Sequence, residues 1–342
     1  MLTTESKRSF HRRMSQLLAL AAVVMLALAF GSDASARGAG LHGRLLTSGL
    51  AGASGATVGP DGALYAVEGA LGQVVRIDPR SGRKRIFATG LPPAIPEVGI
   101  GGAIDVAFIG RTAYVLVTLL GEFGAGVDGI YRITGPDTWE IVADLGTFSR
   151  DNPPPTAFDL AHGVQFAMQP IDQGFLVSDG HHNRILHVTL DGAISVLKQY
   201  DNVVPTGLAG EFGTVYVAEL GPVPNLPEDG KVTSFPLLAP GTDRAAVASG
   251  VSMIVDVELG PDGALYALSQ GDIGSEVPGA PAAPNTGRLL QVKKDGTFKV
   301  LARRIDRPTS LDFACGRAHV TTLTGQVLQF NRLDWFLAGL CL

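Results

Sequence analysis

An eight-residue segment occurs twice, far apart in this chain. Gly59–Ala66 and Gly260–Ala267 both read Gly-Pro-Asp-Gly-Ala-Leu-Tyr-Ala. Each segment has a short apolar run on either side, and two further runs rich in Val, Ile and Leu follow in the same order. Pro-Asp-Gly is typical of tight turns, and short Val- and Ile-rich runs between such turns are typical of strands. The chain is therefore predicted to repeat a unit of four strands, named a to d.

Weaker copies of the unit fill the rest of the chain. Three lie at 104–143, 163–197 and 207–248, and a last copy at 309–330 has strands a, b and c but lacks d. Gly43–Leu50 resembles strand d of the first unit and is predicted to complete the last one. The prediction is an all-β fold, a six-bladed β-propeller with four-stranded blades over residues 37–342, with 331–342 as a C-terminal tail. An open sandwich is the alternative, although sandwiches do not repeat at this period.

The first 36 residues have the three parts of a secretory signal. Basic residues including Arg12 and Arg13 precede an apolar run at 17–30, and Ala34-Ser-Ala36 offers a cleavage site. The run is about 14 residues, shorter than the roughly 20 that a membrane span needs, which disfavours an uncleaved anchor. Ser15 and Gln16 stand where a twin-arginine signal has apolar residues, so general secretion is favoured. We expect a secreted or periplasmic protein without a membrane span after cleavage.

Composition excludes two other classes. Hydrophobic residues make up 46% of the 342 and charged residues 17%, so the chain can bury a core and is not a disordered coil. The formal net charge of -5 offers no overall basic balance for phosphate backbones. Nucleic acid is not an expected partner.

The lengths of the predicted connections differ between the two rims of the ring. In a blade whose strands follow in order, the d-to-a and b-to-c connections lie on one rim and the remaining turns on the other. The long connections all fall on the first rim, at 92–102, 119–128, 148–162, 221–229 and 269–286. Long loops on a rigid scaffold are the usual place for binding or catalysis, so this rim is the expected functional face. Tolerated insertion is the alternative, because lengthening a loop costs little.

Candidate ligand-binding residues lie where strands a begin and strands b end on that rim. They are Asp105, His162, Asp179, His181, Glu219 and Asp256. Four of them offer the oxygen and imidazole ligands of a divalent cation, namely His162, Asp179, Glu219 and Asp256. Acids that end strand b also commonly accept hydrogen bonds from the following turn, and His181 and His182 fit a solvated loop.

Two function classes remain open from the residues. The favoured class is a secreted binding or scaffold protein whose long-loop rim meets a small molecule, a glycan or a protein. The other is a hydrolase or lyase of the lactonase kind, with a divalent cation and Asp256 or Glu219 as general base. The common catalytic sequence signatures do not occur.

Several segments resemble the ScyD/ScyE family. They are Val204–Leu208, Val215–Gly221, Ile254–Leu268, His162–Val164 and Leu176–Asn183. The resemblance implies an exported propeller from a family named after gene clusters for the sunscreen pigment scytonemin. A looser likeness extends to NHL-repeat and gluconolactonase-type propellers.

The chain has two cysteines, Cys315 and Cys341. Export would bring both thiols to an oxidising compartment, where an even count is usually paired. Cys315 belongs to the a-to-b turn of the last blade, and strand c of that blade leads into the tail that carries Cys341. A disulfide between them is predicted, with two buried free thiols as the alternative.

Overall fold

The six predicted units form six four-stranded antiparallel sheets arranged in a ring. The computed structural model describes residues 41–241, 245–275 and 279–331. Within these residues the innermost strand of each sheet contacts the innermost strand of the next, and the sixth contacts the first. This confirms the six-bladed β-propeller. The predicted signal peptide (1–36), the tail beyond Asn331 and Cys341 lie outside the described residues, so cleavage and the disulfide stay predictions.

The strands run from the central channel outwards in each blade. Blade 1 contains β2 (Ala53–Val58), β3 (Leu64–Glu68), β4 (Gln73–Ile77) and β5 (Lys84–Ala88), and blade 2 contains β6 (Gly102–Ile109), β7 (Thr112–Thr118), β8 (Gly129–Gly135) and β9 (Thr138–Asp144). Blade 3 contains β10 (Gln165–Ile171), β11 (Gly174–Asp179), β12 (Arg184–Thr189) and β13 (Ile194–Gln199), and blade 4 contains β14 (Pro205–Glu211), β15 (Thr214–Glu219), β16 (Lys231–Pro236) and β17 (Ala245–Ser249). Blade 5 contains β18 (Ile254–Leu259), β19 (Leu265–Ser269), β20 (Gly287–Val292) and β21 (Phe298–Ile305), and blade 6 contains β22 (Pro308–Ala314), β23 (Arg317–Thr322), β24 (Val327–Phe330) and β1 (Arg44–Thr47).

Two differences from the sequence prediction fall in the connection between blades 2 and 3. The innermost strand of blade 3 begins at Gln165 rather than Gly163, because Gly163 has a φ of +68° and closes a turn onto Leu160. The connection between β9 and β10 also contains a short helix, α1 (Leu145–Asp151). Asp144 caps this helix by accepting a hydrogen bond from the backbone N–H of Thr147 at 2.8 Å. Seven residues are too few to give a helical period that a sequence scan detects.

The repeated eight-residue segment forms the same turn in blades 1 and 5. The first glycine, Gly59 or Gly260, accepts a hydrogen bond from the last, which has a φ of +72° or +73°. A Cβ atom on Gly59 would stand 2.3 Å from the ring of Tyr65, and one on Gly260 would stand 2.4 Å from Tyr266. A side chain at the first glycine would collide with the ring of the tyrosine six residues later, so the glycine and the tyrosine depend on each other in both copies.

Apolar side chains fill the space between neighbouring blades. Six buried clusters each combine residues of two consecutive blades, and together they cover all six junctions of the ring. At the first junction the rings of Tyr65 and Phe108 meet edge to face, with centroids 4.8 Å apart. The second strands β3 and β11 are fully buried, whereas the outermost strand β5 is largely exposed. Stability thus depends on each blade having a neighbour on both sides.

The N-terminal strand closes the ring as predicted. β1 pairs antiparallel with β24, with Arg44 opposite Gln329 and Thr47 opposite Val327. Leu46 is buried between blade 6 and blade 1 and packs in the cluster that contains Val327 and Ile77. The first strand of the described chain therefore completes the last blade and covers its outer edge.

Two alanine substitutions in β1 test the closure. Leu46 is 8% exposed and Leu45 is 51% exposed on the same strand, so the pair is matched in size and position. We expect Leu46→Ala to lower the free energy of unfolding by about 2–3 kcal/mol, because it leaves a cavity at the junction. Leu45→Ala should change it by less than about 0.5 kcal/mol. Chemical denaturation of both variants checks this, and equal effects would contradict the packing of β1.

The long connections lie on one rim, as predicted. The observed long loops are 89–101, 119–128, 145–164, 220–230 and 270–286, all of the d-to-a or b-to-c kind. Among the described residues no helix is long and apolar enough to cross a membrane.

Candidate functional site

A funnel-shaped cavity of about 1380 Å³ opens on the long-loop rim and continues into the central channel. Its mouth is lined mainly by apolar side chains from the long loops and strand starts, including Ile100, Phe158, Phe166, Val223 and Met253. Its deeper wall is formed by all six innermost strands. A concave, mostly apolar cavity with a few polar groups at its base is the usual form of a small-molecule site.

Every innermost strand has an irregularity near its start. In β6 the pairing shifts between Ala103 and Asp105, and in β18 it shifts between Ile254 and Asp256. Such bulges change the direction of a side chain relative to the regular strand. Here the bulge precedes the aspartate, and the carboxylate reaches the innermost strand of the next blade.

Asp105 and Asp256 occupy equivalent positions three blades apart. Oδ2 of Asp105 accepts a hydrogen bond from the backbone N–H of Met168 at 2.8 Å, and Oδ1 accepts from its own neighbour Val106 at 2.9 Å. Oδ2 of Asp256 accepts from the backbone N–H of Leu311 at 2.7 Å, and Oδ1 accepts from Val257 at 2.9 Å. Each carboxylate therefore joins two blades through their backbones.

Two glycines leave the space that these carboxylates occupy. A Cβ atom on Gly55 would stand 2.2 Å from Oδ1 of Asp105, and one on Gly207 would stand 2.4 Å from Oδ1 of Asp256. Both glycines lie on the preceding blade, at the position that the aspartate holds on its own strand. Each of these two carboxylates therefore lies beside a glycine of the preceding blade that leaves room for it.

Two more carboxyl groups lie further along the channel. Asp312 accepts hydrogen bonds from the backbone N–H groups of Val58 and Phe313, and Glu258 accepts from Leu259. Both residues line the funnel together with Asp105 and Asp256. Arg307 is the one Lys or Arg among the described lining residues, and its guanidinium is paired with Asp306 at 2.7 Å. The channel is therefore acidic.

Burial raises the pKa of all four channel carboxyl groups. The pKa of Asp105 rises to about 7 and that of Asp312 to about 6, and those of Asp256 and Glu258 rise well above their ordinary values. Burial is the larger cause in each case, and repulsion between the carboxylates adds to it for Asp105, Asp256 and Glu258. Carboxyl groups that exchange protons near neutral pH can act as general acids or bases.

The raised pKa of Asp105 predicts a pH-dependent stability. The Asp105 carboxyl group loses its proton near pH 4 in the unfolded chain and near pH 7 in the folded protein. Its favourable contribution to the free energy of unfolding is therefore complete below pH 4 and is lost as the pH rises to about 7. The side chain of the Asp105→Asn variant is uncharged at every pH, so we expect this variant to lack the decrease in stability that ionisation of Asp105 causes as the pH rises. Between pH 5 and pH 8 the melting temperature of the unsubstituted protein should fall by roughly 5 °C more than that of the variant. Asp172→Asn, in an exposed turn of the opposite rim, should keep the full loss. Parallel melting curves for Asp105→Asn and the unsubstituted protein would contradict the assignment.

His181 lines the same funnel. It lies in the turn between β11 and β12, and its ring centroid is 6.2 Å from that of Phe166. Burial lowers the pKa of His181, so its imidazole is neutral at pH 7 and able to accept a proton. Three of the six predicted residues, Asp105, His181 and Asp256, therefore line one cavity.

His162 lies outside the funnel lining, between two long loops. Its Nδ1 atom is 3.4 Å from Oδ2 of the buried Asp128, and Oε2 of Glu122 accepts a hydrogen bond from its backbone N–H at 3.2 Å. Asp128 also accepts hydrogen bonds from the backbone N–H groups of Leu120 and Gly121. This arrangement connects the loop 119–128 with the loop 145–164.

Asp179 is the centre of a buried polar network behind the funnel wall. Its Oδ2 accepts from Arg184 Nε at 2.9 Å and from Ser149 Oγ at 3.1 Å, and Arg184 is itself 1% exposed. Nε2 of His182 donates to the carbonyl of Leu160 at 2.9 Å, and Nδ1 lies 3.1 Å from Nη2 of Arg184 and 3.4 Å from Oδ2 of Asp179. Burial alone would raise the pKa of Asp179, but His182 and Arg184 hold it below its ordinary value.

Glu219 is buried in blade 4 and is also absent from the funnel lining. Thr233 Oγ1 donates to its Oε1 at 2.7 Å across the neighbouring strand. His162, Asp179, Glu219 and Asp256 therefore lie in four different settings. Within 41–241, 245–275 and 279–331 no group of three or more His, Cys, Asp or Glu side chains is placed to hold a metal ion. The residues predicted as cation ligands do not come together, because three of them bond to side chains or loops of their own blades.

The sequence analysis did not identify four residues that define these sites. Glu258 and Asp312 complete the acidic channel, Arg184 neutralises Asp179, and Asp128 faces His162. One signal was available in the sequence. Glu258 lies two residues after Asp256 on β18, and Asp312 lies two residues after Ser310 on β22. Since side chains two residues apart on a strand share a face, both are expected to face the channel once the strands are known.

The buried ion pair predicts a large effect of a small substitution. Asp179→Asn leaves the guanidinium of Arg184 buried without a countercharge, and we expect it to lower the free energy of unfolding by about 3–5 kcal/mol. Asp151→Asn removes the partner of Arg150 in an exposed pair and should have little effect. Thermal melting at pH 7 compares the two variants. Equal melting temperatures would show that the pairing of Asp179 with Arg184 is not structural.

Comparisons with known proteins support the fold and nothing finer. No protein-family profile matches the chain, and no curated protein does either. A gluconolactonase from Xanthomonas campestris is similar in structure, with 12% identity, a TM-score of 0.57, and coverage of 84% of this chain and 89% of that one. The calcium-binding protein regucalcin from Agrobacterium tumefaciens gives 14% identity, a TM-score of 0.57, and coverage of 85% and 94%.

A luciferin-regenerating enzyme is similar at 10% identity, with a TM-score of 0.57 and coverage of 86% of this chain and 96% of that one. The fold is thus the six-bladed β-propeller, which these structural neighbours share. The ScyD/ScyE resemblance stays a prediction.

Proposed function

We propose that this protein hydrolyses a small lactone or ester bound in the funnel. The observation that carries the proposal is the group of carboxyl groups in the deep part of the funnel. Asp105 and Asp256 line this one cavity, and burial raises the pKa of both. The gluconolactonase-like neighbours support it through a shared fold. An exported enzyme of this kind is consistent with the predicted signal peptide.

Asp105 would act as a general base, and Asp256 would act as a hydrogen-bond donor to the substrate. Asp105, whose pKa is about 7, is ionised in part of the molecules at neutral pH and can take a proton from a water molecule. The water oxygen then bonds to the substrate carbonyl carbon. Burial and the neighbouring carboxylates raise the pKa of Asp256 well above its ordinary value, so its protonated form can donate a hydrogen bond to the carbonyl oxygen as negative charge develops there. Breaking the ring C–O bond returns the proton from Asp105 to the leaving oxygen and yields a hydroxy acid.

The apolar mouth would hold the body of the substrate. Phe166 and Met253 offer aromatic and aliphatic contacts just above the carboxyl groups, and the cavity is larger than most single-ligand pockets. A divalent cation, which the lactonase class suggests, does not fit the described residues, because no three suitable side chains converge. The mechanism above therefore uses only groups of this chain.

A different observation favours the binding or scaffold role. Both oxygens of Asp105 and of Asp256 already accept backbone hydrogen bonds that connect neighbouring blades. Such groups are suited to fixing the shape of the channel, and the funnel would then hold a small molecule, a glycan or part of a protein without changing it.

One substitution series separates the two roles. The purified protein is assayed with p-nitrophenyl acetate, p-nitrophenyl butyrate, δ-valerolactone and gluconolactone, with proton release as the readout. We expect hydrolysis of at least one of these, and Asp105→Asn should lower kcat by about 100-fold or more. Asp159→Asn, at the exposed mouth of the same funnel, should leave kcat within about twofold. No hydrolysis across the panel, or an Asp105→Asn variant as active as the unsubstituted protein, would leave the binding role as the function.

A further inference from the structure

Positive charge is concentrated on one side of the outer wall. Blades 5, 6 and 1 are consecutive in the ring, and their outermost strands are β21, β1 and β5. These strands and the turns that lead into β21 and β5 cover residues 42–47, 78–88 and 293–305, which contain ten Lys or Arg residues and two acidic ones. We call this surface the basic flank.

The charges of the basic flank point to solvent. Arg83 and Arg85 are exposed on blade 1, Lys299 and Arg303 are exposed on blade 5, and Arg44 is exposed on the strand between them. The N–H of Leu41 donates to the carbonyl of Leu301 at 2.8 Å, so the chain runs directly from the edge of β21 into β1 and holds the two strands side by side. The flank is therefore one continuous surface.

The opposite side of the wall has the reverse sign. The corresponding segments of blades 2 and 3, residues 136–144 and 190–199, contain four acidic residues and one lysine. The described part of the corresponding segment of blade 4, 237–241 and 245–249, carries none of either kind. Charged side chains protect the edges of outer strands against pairing with other chains, but that role does not require one sign. The concentration of positive charge on one side of the wall therefore indicates a binding surface for a negatively charged partner.

Aliphatic side chains lie among the cations of the flank. Leu45 follows Arg44 and is 51% exposed, and Ile86 follows Arg85 and is 60% exposed. The aromatic residues of the same segments, Phe87 and Phe298, are half-buried and pack against the blade cores. A surface that recognises sugars would be expected to expose such rings, whereas a basic surface with exposed aliphatic side chains is typical of proteins that lie on anionic lipid.

We propose that the basic flank binds the surface of a bilayer that contains anionic phospholipid. The cations attract the lipid phosphates within about one Debye length, and Leu45 and Ile86 enter the boundary between headgroups and acyl chains. The funnel mouth lies on the long-loop rim and the turns of the flank lie on the other rim, so a substrate could still enter the bound protein. The proposal does not depend on the hydrolase function.

Vesicle sedimentation tests the proposal. We expect the protein to sediment with vesicles of phosphatidylcholine containing 30% phosphatidylglycerol, not with phosphatidylcholine alone, and to be released by 0.5 M salt. Arg83→Gln with Arg85→Gln and Arg303→Gln should raise the lipid concentration for half-binding about tenfold or more. Arg111→Gln with Arg132→Gln and Arg150→Gln removes the same charge from three exposed positions elsewhere and should change it less than twofold. Melting curves confirm that both triple variants are folded.

Several outcomes would overturn the proposal. They are equal sedimentation with charged and neutral vesicles, equal effects of the two triple variants, and a flank variant that binds as the unsubstituted protein does. Retention on immobilised polygalacturonate without vesicle binding would assign the flank to an acidic polysaccharide instead. Leu45→Ser with Ile86→Ser should weaken vesicle binding at least threefold, and no change would remove the aliphatic part of the argument.

Discussion

The pairing of β1 with β24 is the interaction on which the rest of the molecule depends. Three strands of blade 6 come from the end of the described chain and the fourth comes from its beginning, so within one sheet this pairing joins the two ends of the ring, and contacts between blades 6 and 1 reinforce it. Once the ring is closed, six innermost strands surround one axis at fixed distances. The channel, its carboxyl groups and the funnel above them exist only in that closed state.

The channel shows how one set of side chains can serve structure and chemistry together. Asp105, Asp256 and Asp312 each bridge to the backbone of the next blade, and the burial that makes these bridges effective also makes the charged form costly. Their protons are therefore held to a higher pH than in water. Asp179 is fully buried but has His182 and Arg184 beside it, and its pKa moves the other way. Burial favours the protonated form in both places, and at Asp179 the neighbouring hydrogen bonds and positive charge outweigh it.

The funnel mouth and the basic flank are separated by the geometry of the blades. Connections of the d-to-a and b-to-c kind build the funnel mouth, while the outermost strands and the c-to-d turns build the basic flank. Because strand a lies on the axis and strand d on the wall, residues of one blade can serve both surfaces without interfering. Loop length can change on one rim while charge changes on the wall, with the apolar clusters between blades left intact.

The sequence by itself determined the blade repeat, the completing strand and the rim of the long loops. Each follows from local rules: turn residues at fixed offsets, short apolar runs between them, and the alternation of connections in a meander. It also placed Asp105, His181 and Asp256 on the long-loop side, where all three line the funnel, since their place at strand ends is a local property.

Only the tertiary structure decided which of those residues share a site. Asp179 and Glu219 end the second strands of their blades and His162 precedes an innermost strand, all on the rim of the funnel mouth, yet Arg184, Thr233 and Asp128 hold them outside the funnel lining. Arg184 and Thr233 lie on the next strand and Asp128 lies on another loop, so these pairings depend on strand register and loop packing. The basic flank also depends on the tertiary structure. The formal net charge of -5 gives no sign of it, because Arg44, Arg85 and Arg303 come to lie on one side of the wall only when the ring closes. Contacts between blades are set by the closed ring, and a one-dimensional pattern does not contain them.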